Sequence, residues 1–233
     1  MKSFIWIVAV LGVLTAGIAF AEGPRLAVAT PEFSFGEIWQ GTKLTHVFGI
    51  RNSGDKPLAI DRVRTSCGCT AALLSNRHLA AGAAAQVRVT FDSRHFVGPV
   101  VKTVYLFSDD PLRRMIELSL RGIVRAQVRF EPPTLNAGVV PPGEPTEIHT
   151  RVTNIGDRPL VFNYLQRTLP DVAVTLSQQR LAPGESAKLV VTVTPRGGRH
   201  RLDGYILLRA VGLRVPELSL PFYAVVRAAQ AEH

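Results

Sequence analysis

The chain contains only two cysteines, Cys67 and Cys69, and a single glycine separates them. Thiols this close can form a local disulfide, hold a soft metal such as Cu(I), or exchange electrons with another protein as a redox dithiol. A bridge would close so short a loop that it would add only ~1.5 kcal/mol of stability. In an extended strand the two Cα atoms would lie ~6.6 Å apart, near the upper limit for a disulfide, although the glycine lets the chain fold more tightly. The spacing leaves the local disulfide, the metal site and the redox site open.

No other residues form a recognisable chemical site in the sequence. Neither His78 nor His95 has ligand spacing to the cysteines, so neither is predicted to bind a metal. Asp109 and Asp110 precede Pro111 in a pattern typical of a turn. The sequence has no serine-hydrolase elbow, zinc-protease motif, phosphate loop or dinucleotide fingerprint. We therefore predict that the protein is not an enzyme and has no cofactor, with Cu(I) at the cysteines as the one exception.

An internal repeat organises the elements that would carry the cysteines. The segment Asn52-Ser53-Gly54-Asp55-Lys56-Pro57 recurs as Asn154-Ile155-Gly156-Asp157-Arg158-Pro159, 102 residues later, and the same offset pairs further positions without a gap. A gap-free period this long indicates a duplicated domain. The second copy has Leu169 and Asp171 at the positions of the cysteines, so the predicted fold does not require them.

Short apolar alternations within each copy predict β-strands and very little helix. The predicted strands lie near residues 33–38, 44–51, 58–64, 86–91, 100–107 and 115–124 in the first copy and 147–153, 160–165, 172–176, 187–193, 205–209 and 218–226 in the second. This density of short strands and turns is typical of an antiparallel sandwich. The sequence therefore predicts an all-β protein with two tandem immunoglobulin-like β-sandwich domains after an N-terminal signal peptide.

The repeated Asn-x-Gly-Asp-x-Pro segment is predicted to be a hairpin-type turn in both copies. Its asparagine supplies an acceptor for the turn, and its proline begins the next strand. Its glycine, Gly54 or Gly156, is expected to take a positive φ.

The first residues predict export. Lys2 is followed by the apolar run FIWIVAVLGVLTAGIAF and by Ala19-Phe20-Ala21, a cleavage-site pattern. No later run is long enough to cross a membrane, so the mature chain is predicted to have no transmembrane segment. We expect a periplasmic or secreted protein with a signal peptide at residues 1–21, a cysteine-bearing sandwich at 22–128 and a second sandwich without cysteines at 129–233.

The charge of the chain restricts the class of partner. The formal net charge is +9 and the sequence pI is about 10.2, which favours an anionic partner or surface. Nucleic acid is not expected as a partner for an exported protein. The densest basic cluster, Arg196, Arg199, His200 and Arg201, is predicted to be a solvated turn, with contact to phosphate, a lipid headgroup or an anionic glycan as the alternative.

Several motifs of the first copy resemble a known family. They are Phe35-Gly36, Gly41, Phe48, Asn52-x-Gly54, Pro57-Leu58, Cys67-Gly68-Cys69-Thr70 and Phe91-Asp92. In this combination the first copy resembles the bacterial domain of unknown function 1573 along most of its length. The Asn-x-Gly turn is shared more widely, with Ig-like modules similar to the ciliary and sperm-protein type. The resemblance implies an exported Ig-like domain without an assigned activity, and the second copy keeps the turn but lacks the cysteines.

Three functions are compatible with these observations. The leading hypothesis is a non-catalytic binding or structural module of the bacterial envelope, with an envelope protein or an anionic surface component as partner. The second is a thiol-redox or Cu(I)-binding protein that uses Cys67 and Cys69. The third is a PapD-like periplasmic chaperone, which lends a strand to its subunits.

Overall fold

A computed structural model describes residues 23–196 and 200–227. The predicted signal peptide and Arg199 of the basic cluster lie outside the described residues. Within the described residues every regular element is a strand, which confirms the all-β prediction. No helix long and apolar enough to cross a membrane occurs in that part of the chain.

The first domain contains nine strands in two sheets. They are β1 (Leu26–Val28), β2 (Glu32–Trp39), β3 (Lys43–Asn52), β4 (Leu58–Thr65), β5 (Thr70–Leu74), β6 (His78–Leu79), β7 (Ala84–Asp92), β8 (Gly98–Ser108) and β9 (Met115–Arg125). One sheet has the order β1-β3-β7-β5 and the other the order β2-β9-β8-β4-β6. Strand β2 runs parallel to β9, and the other pairs are antiparallel.

The second domain repeats this arrangement strand for strand. Its strands are β10 (Val128–Glu131), β11 (Leu135–Val140), β12 (Thr146–Asn154), β13 (Leu160–Arg167), β14 (Val172–Leu176), β15 (Arg180–Leu181), β16 (Ser186–Val193), β17 (Arg201–Val211) and β18 (Leu218–Val226). The sheet orders are β10-β12-β16-β14 and β11-β18-β17-β13-β15. Two tandem sandwiches of the same topology confirm the predicted duplication.

Each domain buries its own apolar surface between its two sheets. In β7 the alternation of the sequence becomes an alternation of burial, because successive side chains of a strand point to opposite faces. Val87 and Val89 are completely buried there, as are Leu189 and Val191 of β16 in the second domain. The cores therefore follow directly from the period-two pattern.

The repeated asparagine turn was predicted as a hairpin, and that prediction is wrong. Strands β3 and β4 lie in different sheets, so the turn carries the chain across the sandwich. The fully buried Asn52 holds this crossing. Its Oδ1 accepts from the N–H of Gly54 at 3.0 Å, and its Nδ2 donates to the carbonyls of Lys56 at 2.7 Å and Leu79 at 3.0 Å. Asn154 makes the matching bonds in the second domain.

The expected positive φ at the turn glycines is also wrong, since neither Gly54 nor Gly156 has a positive φ. Gly54 is needed for space instead. A Cβ at this position would overlap the carbonyl oxygen of Gly23, which crosses the turn closely. The constraint comes from packing between chain segments, which a turn motif alone does not reveal.

Candidate functional site

The two cysteines lie in the connection between β4 and β5, where the chain changes sheets. They form a disulfide, with Cα atoms 5.3 Å apart, so the chain around Gly68 is folded more tightly than an extended strand. The Thr65 hydroxyl donates to the Cys67 carbonyl at 3.1 Å, and the Asp92 N–H donates to the Cys69 carbonyl at 3.0 Å. Of the arrangements that the sequence left open, the structure contains the local disulfide.

Both cysteines are half-buried, and Cys69 packs against a small apolar cluster at this end of the first domain. The cluster consists of Phe91, Val100 and Val124, with Phe96 among the side chains at its edge. One side of the disulfide therefore faces solvent, and the other faces an apolar, aromatic environment.

Lys102 lies in the same region and was not singled out from the sequence. It occupies an inward-facing position of β8 between Val100 and Val104 and is only 9% exposed. Its Nζ lies 3.7 Å from the ring centroid of Phe96 and 5.6 Å from that of Phe91. Burial lowers the pKa of its ammonium group. A lysine at an apolar position of the alternating pattern is the signal that could have identified it.

The second domain shows that the disulfide and Lys102 occur together. Leu169 replaces Cys67 there, and Gly204 replaces Lys102, at the offset of 102 residues. These two replacements are neighbours, because a Cβ on Gly204 would lie 3.0 Å from the side chain of Leu169. In the first domain Lys102 thus packs on Phe91 and Phe96 of the cluster that Cys69 contacts, and the second domain has neither the cysteines nor the lysine.

A second candidate site is a cleft of about 850 Å³ at the junction of the two domains. The first domain contributes Trp39 and Val97, and the second contributes Phe130 and Ile155. Val97 is 60% exposed and Ile155 is 39% exposed. Clefts between domains with apolar walls are common ligand sites.

Hydrogen bonds and an arginine–aromatic contact at the domain junction connect the segments around this cleft. Gln127 donates through Nε2 to the Gly212 carbonyl at 3.1 Å and accepts at Oε1 from the N–H of Arg214 at 2.6 Å. The Arg214 guanidinium carbon lies 5.1 Å from the ring centroid of Trp39, and its Nη2 donates to Asp157. The loop that contains Gly212 and Arg214 therefore bonds to Gln127 of the linker and contacts Trp39 of the first domain.

Arginines line the rim of the cleft, and carboxylates pair with them. Arg94 pairs with Asp92 at 2.6 Å, Arg129 pairs with Glu131 at 3.1 Å, and Arg125 pairs with Glu37. Hydrogen bonds from the Arg94 side chain hold the pKa of Asp92 below its ordinary value. The rim is thus polar but close to neutral.

His95 lines the cleft, and His78 lies in the short edge strand β6. No group of three or more metal-ligating side chains occurs in residues 23–196 and 200–227. The cysteines were identified from the sequence, but Lys102 and the cleft were not. The walls of the cleft come from positions far apart in the chain.

Two family models match the chain, one in each half. Residues 26–124 match the protein of unknown function family DUF1573, and residues 126–208 match the HYDIN/CFA65/VesB-like, Ig-like domain. The resemblance drawn from the motifs of the first copy is confirmed. A comparison with curated proteins found no match.

Several solved structures are similar to this chain. A protein of unknown function from Porphyromonas gingivalis is 15% identical, with a TM-score of 0.39 over 86% of this chain and 99% of that one. The PapD-like domain 7 of human CEP192 is 9% identical, with a TM-score of 0.37 over 53% and 99%. Salmonella alpha-2-macroglobulin is 18% identical, with a TM-score of 0.47 over 88% and 16%. None of these similarities assigns an activity to this chain.

Proposed function

We propose that this chain, with its DUF1573-type first domain and its Ig-like second domain, is an exported, non-catalytic binding module of the bacterial envelope. The cleft at the domain junction carries this proposal. Exposed apolar side chains of both domains converge there, as Val97 and Ile155 do, over a volume of about 850 Å³. Apolar surface that remains exposed in a concave position is typical of a binding site.

The partner that fits this cleft is a segment of an envelope protein. Protein interfaces combine an apolar centre with a polar rim, and the cleft has both. Because the rim arginines are paired with carboxylates, the cleft itself is not selective for an anion. The formal net charge of +9 acts over longer distances and would accelerate association with an acidic partner.

The exported location rests on two features of the sequence. Residues 1–21 have the charged start, apolar run and small-residue site of a signal peptide. A disulfide such as Cys67–Cys69 persists in an oxidising compartment such as the periplasm.

Photocrosslinking in living cells tests the proposal. A photoreactive amino acid replaces Val97 or Ile155 in the cleft, and Leu112, which is 77% exposed outside the cleft, serves as the control. We expect the same crosslinked protein from both cleft positions and none from Leu112. Equal crosslinking at all positions, or none at the cleft, would contradict the proposal.

A fourth position distinguishes the chaperone alternative. Leu73 is 70% exposed and lies in β5, an edge strand of its sheet. A PapD-like chaperone pairs its partner with a sheet edge. Crosslinking at Leu73 instead of at Val97 and Ile155 would favour strand pairing and would argue against the cleft.

A thiol site at Cys67 and Cys69 is the second candidate function, for redox exchange or for Cu(I) once the disulfide is reduced. The buried Lys102, which packs on the same aromatic cluster as Cys69, favours it, because a cation near a thiol stabilises the thiolate and makes it more reactive. The absence of both features from the second domain indicates that they act together.

Replacing Lys102 with methionine tests this second function. In the reduced protein we expect Lys102→Met to raise the thiol pKa, because the stabilising cation is gone. The pH dependence of the alkylation rate measures this pKa, with Lys188→Met in the second domain as the matched control. Anaerobic Cu(I) titration of the reduced wild type and of Cys67→Ser/Cys69→Ser tests metal binding. An unchanged thiol pKa together with no Cu(I) binding would exclude this candidate.

A further inference from the structure

Three of the four tyrosines of the chain lie on one surface of the second domain. Tyr164, Tyr205 and Tyr223 are 41%, 51% and 38% exposed on the outer face of the sheet β11-β18-β17-β13-β15. The inner face of the same strands carries buried residues such as Ile206 and Leu220. These aromatic rings therefore contribute nothing to the core between the sheets.

The first domain shows that the fold does not require them. At the corresponding positions, 102 residues earlier, it has Arg62, Thr103 and Arg121. Arg121 forms an ion pair with Glu32 at 2.7 Å across the equivalent sheet. Two arginines and a threonine thus stand in the first domain where the second domain has tyrosines.

Two of the tyrosines border a groove of about 550 Å³. Tyr205 lies opposite Pro221 in the β17–β18 pair, and Tyr223 lies opposite Asp203. The two rings are therefore diagonal neighbours on adjacent strands, with side chains ~7–8 Å apart. Thr168 closes one side of the groove.

A neutral ion pair lies beside the rings. Arg201 donates through Nε to Asp203 Oδ2 at 2.6 Å, and both side chains are more than half exposed. This bond raises the pKa of the Arg201 guanidinium, whose positive charge offsets the negative charge of Asp203. It leaves the other guanidinium N–H groups as donors and Asp203 Oδ1 as an acceptor, next to two flat apolar surfaces.

We propose that this groove binds a neutral glycan. A sugar ring presents C–H groups on one face, which pack on a tyrosine ring, and hydroxyls at its edge, which match paired donors and acceptors. Tyrosine provides such a surface with few rotatable bonds. Because Arg201 and Asp203 form an ion pair, the described residues that line the groove carry no net charge to attract an anion. Strand β18 is paired with β11 on one side and with β17 on the other along the groove, so a peptide cannot add to it as a further strand.

The test uses chitotetraose as the probe and the intact mature chain as the protein. Tyr205→Thr/Tyr223→Arg places the residues of the first domain in the groove, so the sheet should tolerate them. We expect this variant to bind chitotetraose at least about tenfold more weakly than the wild type in calorimetric titration. Tyr164→Arg makes the same kind of exchange outside the groove and should leave the Kd unchanged. Circular dichroism verifies that both variants fold.

Several outcomes would overturn the proposal. They are no binding by the wild type at millimolar chitotetraose, an unchanged Kd in the double variant, and displacement of the sugar by polyglutamate, which would indicate an anion site. The glycan site is independent of the proposed protein-binding cleft. Val97→Glu, which alters the cleft, should leave the Kd for chitotetraose unchanged, so the failure of one proposal is distinguishable from the failure of the other.

Discussion

Asp110 is a buried carboxylate that fastens the beginning of the first domain. It is 2% exposed and accepts hydrogen bonds from the N–H of Leu26 at 2.8 Å and of Leu112 at 2.9 Å. Arg25 lies 3.3 Å from its Oδ1. The sequence predicted only a turn at this position, because a local Asp-Asp-Pro pattern does not reveal a bond to a strand 84 residues away.

Replacing Asp110 should make the free energy of unfolding depend less on pH in the acidic range. Burial alone would raise the pKa of Asp110, but the N–H donors from Leu26, Leu112 and Arg113, with the charge of Arg25, outweigh it and lower the pKa below 3.8. The carboxylate therefore stabilises the fold above pH 3.8, and this contribution is lost as the pH falls through the lower pKa of the folded state. We expect Asp110→Asn to cost about 2 kcal/mol at pH 7 and much less in acid.

Urea titrations at several pH values measure this difference. Asp61→Asn changes an exposed aspartate of the same domain and should have little effect at any pH. The assigned role of the carboxylate would be contradicted if the difference in unfolding free energy between wild type and Asp110→Asn stayed constant from neutral to strongly acid pH.

At the scale of the strands, the parallel β2–β9 pair depends on one close approach. The ring of Phe35 in β2 occupies the space above Gly122 in β9, and a Cβ on Gly122 would overlap it. The second domain has Ala137 and Ala224 at these positions. A large residue facing glycine in one domain is thus replaced by two small residues in the other.

We expect Gly122→Ala to destabilise the first domain by about 1–3 kcal/mol, because the added methyl group meets the ring of Phe35. The double variant Phe35→Ala/Gly122→Ala, which has the pair of the second domain, should be more stable than the sum of the single changes predicts, by about 1 kcal/mol. Urea denaturation of the wild type, of Phe35→Ala, of Gly122→Ala and of the double variant measures this coupling energy. Gly49→Ala, also in a strand and with no atom within 4 Å of the added Cβ, is the matched control and should not be destabilised.

The observed strands can be compared with those that the sequence pattern predicted. The alternation correctly predicted every strand of eight or more residues and also β14, with 172–176 and 218–226 at their exact bounds, but it did not predict β5 or β11. Both strands could have been inferred from the repeat, because the equivalent strands of the other copy, β14 and β2, were predicted. The short strands β1, β6, β10 and β15 were not predicted either, because they have too few residues for an alternation to be detected.

At the scale of the whole molecule, Gly41 allows the two domains to meet. It has a φ of +88°, and a Cβ there would overlap the carbonyl oxygen of Arg214 in the second domain. Gly143 occupies the matching position of the second domain with a φ of +75° and nothing within 4 Å of the added Cβ. The two glycines therefore separate the effect of backbone strain from the effect of the domain contact.

Gly41→Ala should weaken the contact between the domains by about 1–3 kcal/mol. We expect faster proteolysis of the linker near Gln127 and a broader distribution of inter-domain distances between spin labels. Gly143→Ala should reproduce the strain in φ without either effect. Identical behaviour of the two variants would show that Gly41 is not needed for the junction.

The sequence by itself determined the class of the fold, the duplication and the resemblance of the first copy to its family. These features are recorded in local alternation and in a fixed offset, which need no knowledge of distant contacts. Only the tertiary structure decided that the asparagine turn crosses between sheets, that Lys102 packs on the aromatic cluster that Cys69 contacts, and that Val97 and Ile155 face one cleft. Each of these depends on residues far apart in the chain, whose contacts are set by the packing of sheets and domains rather than by any neighbouring residues.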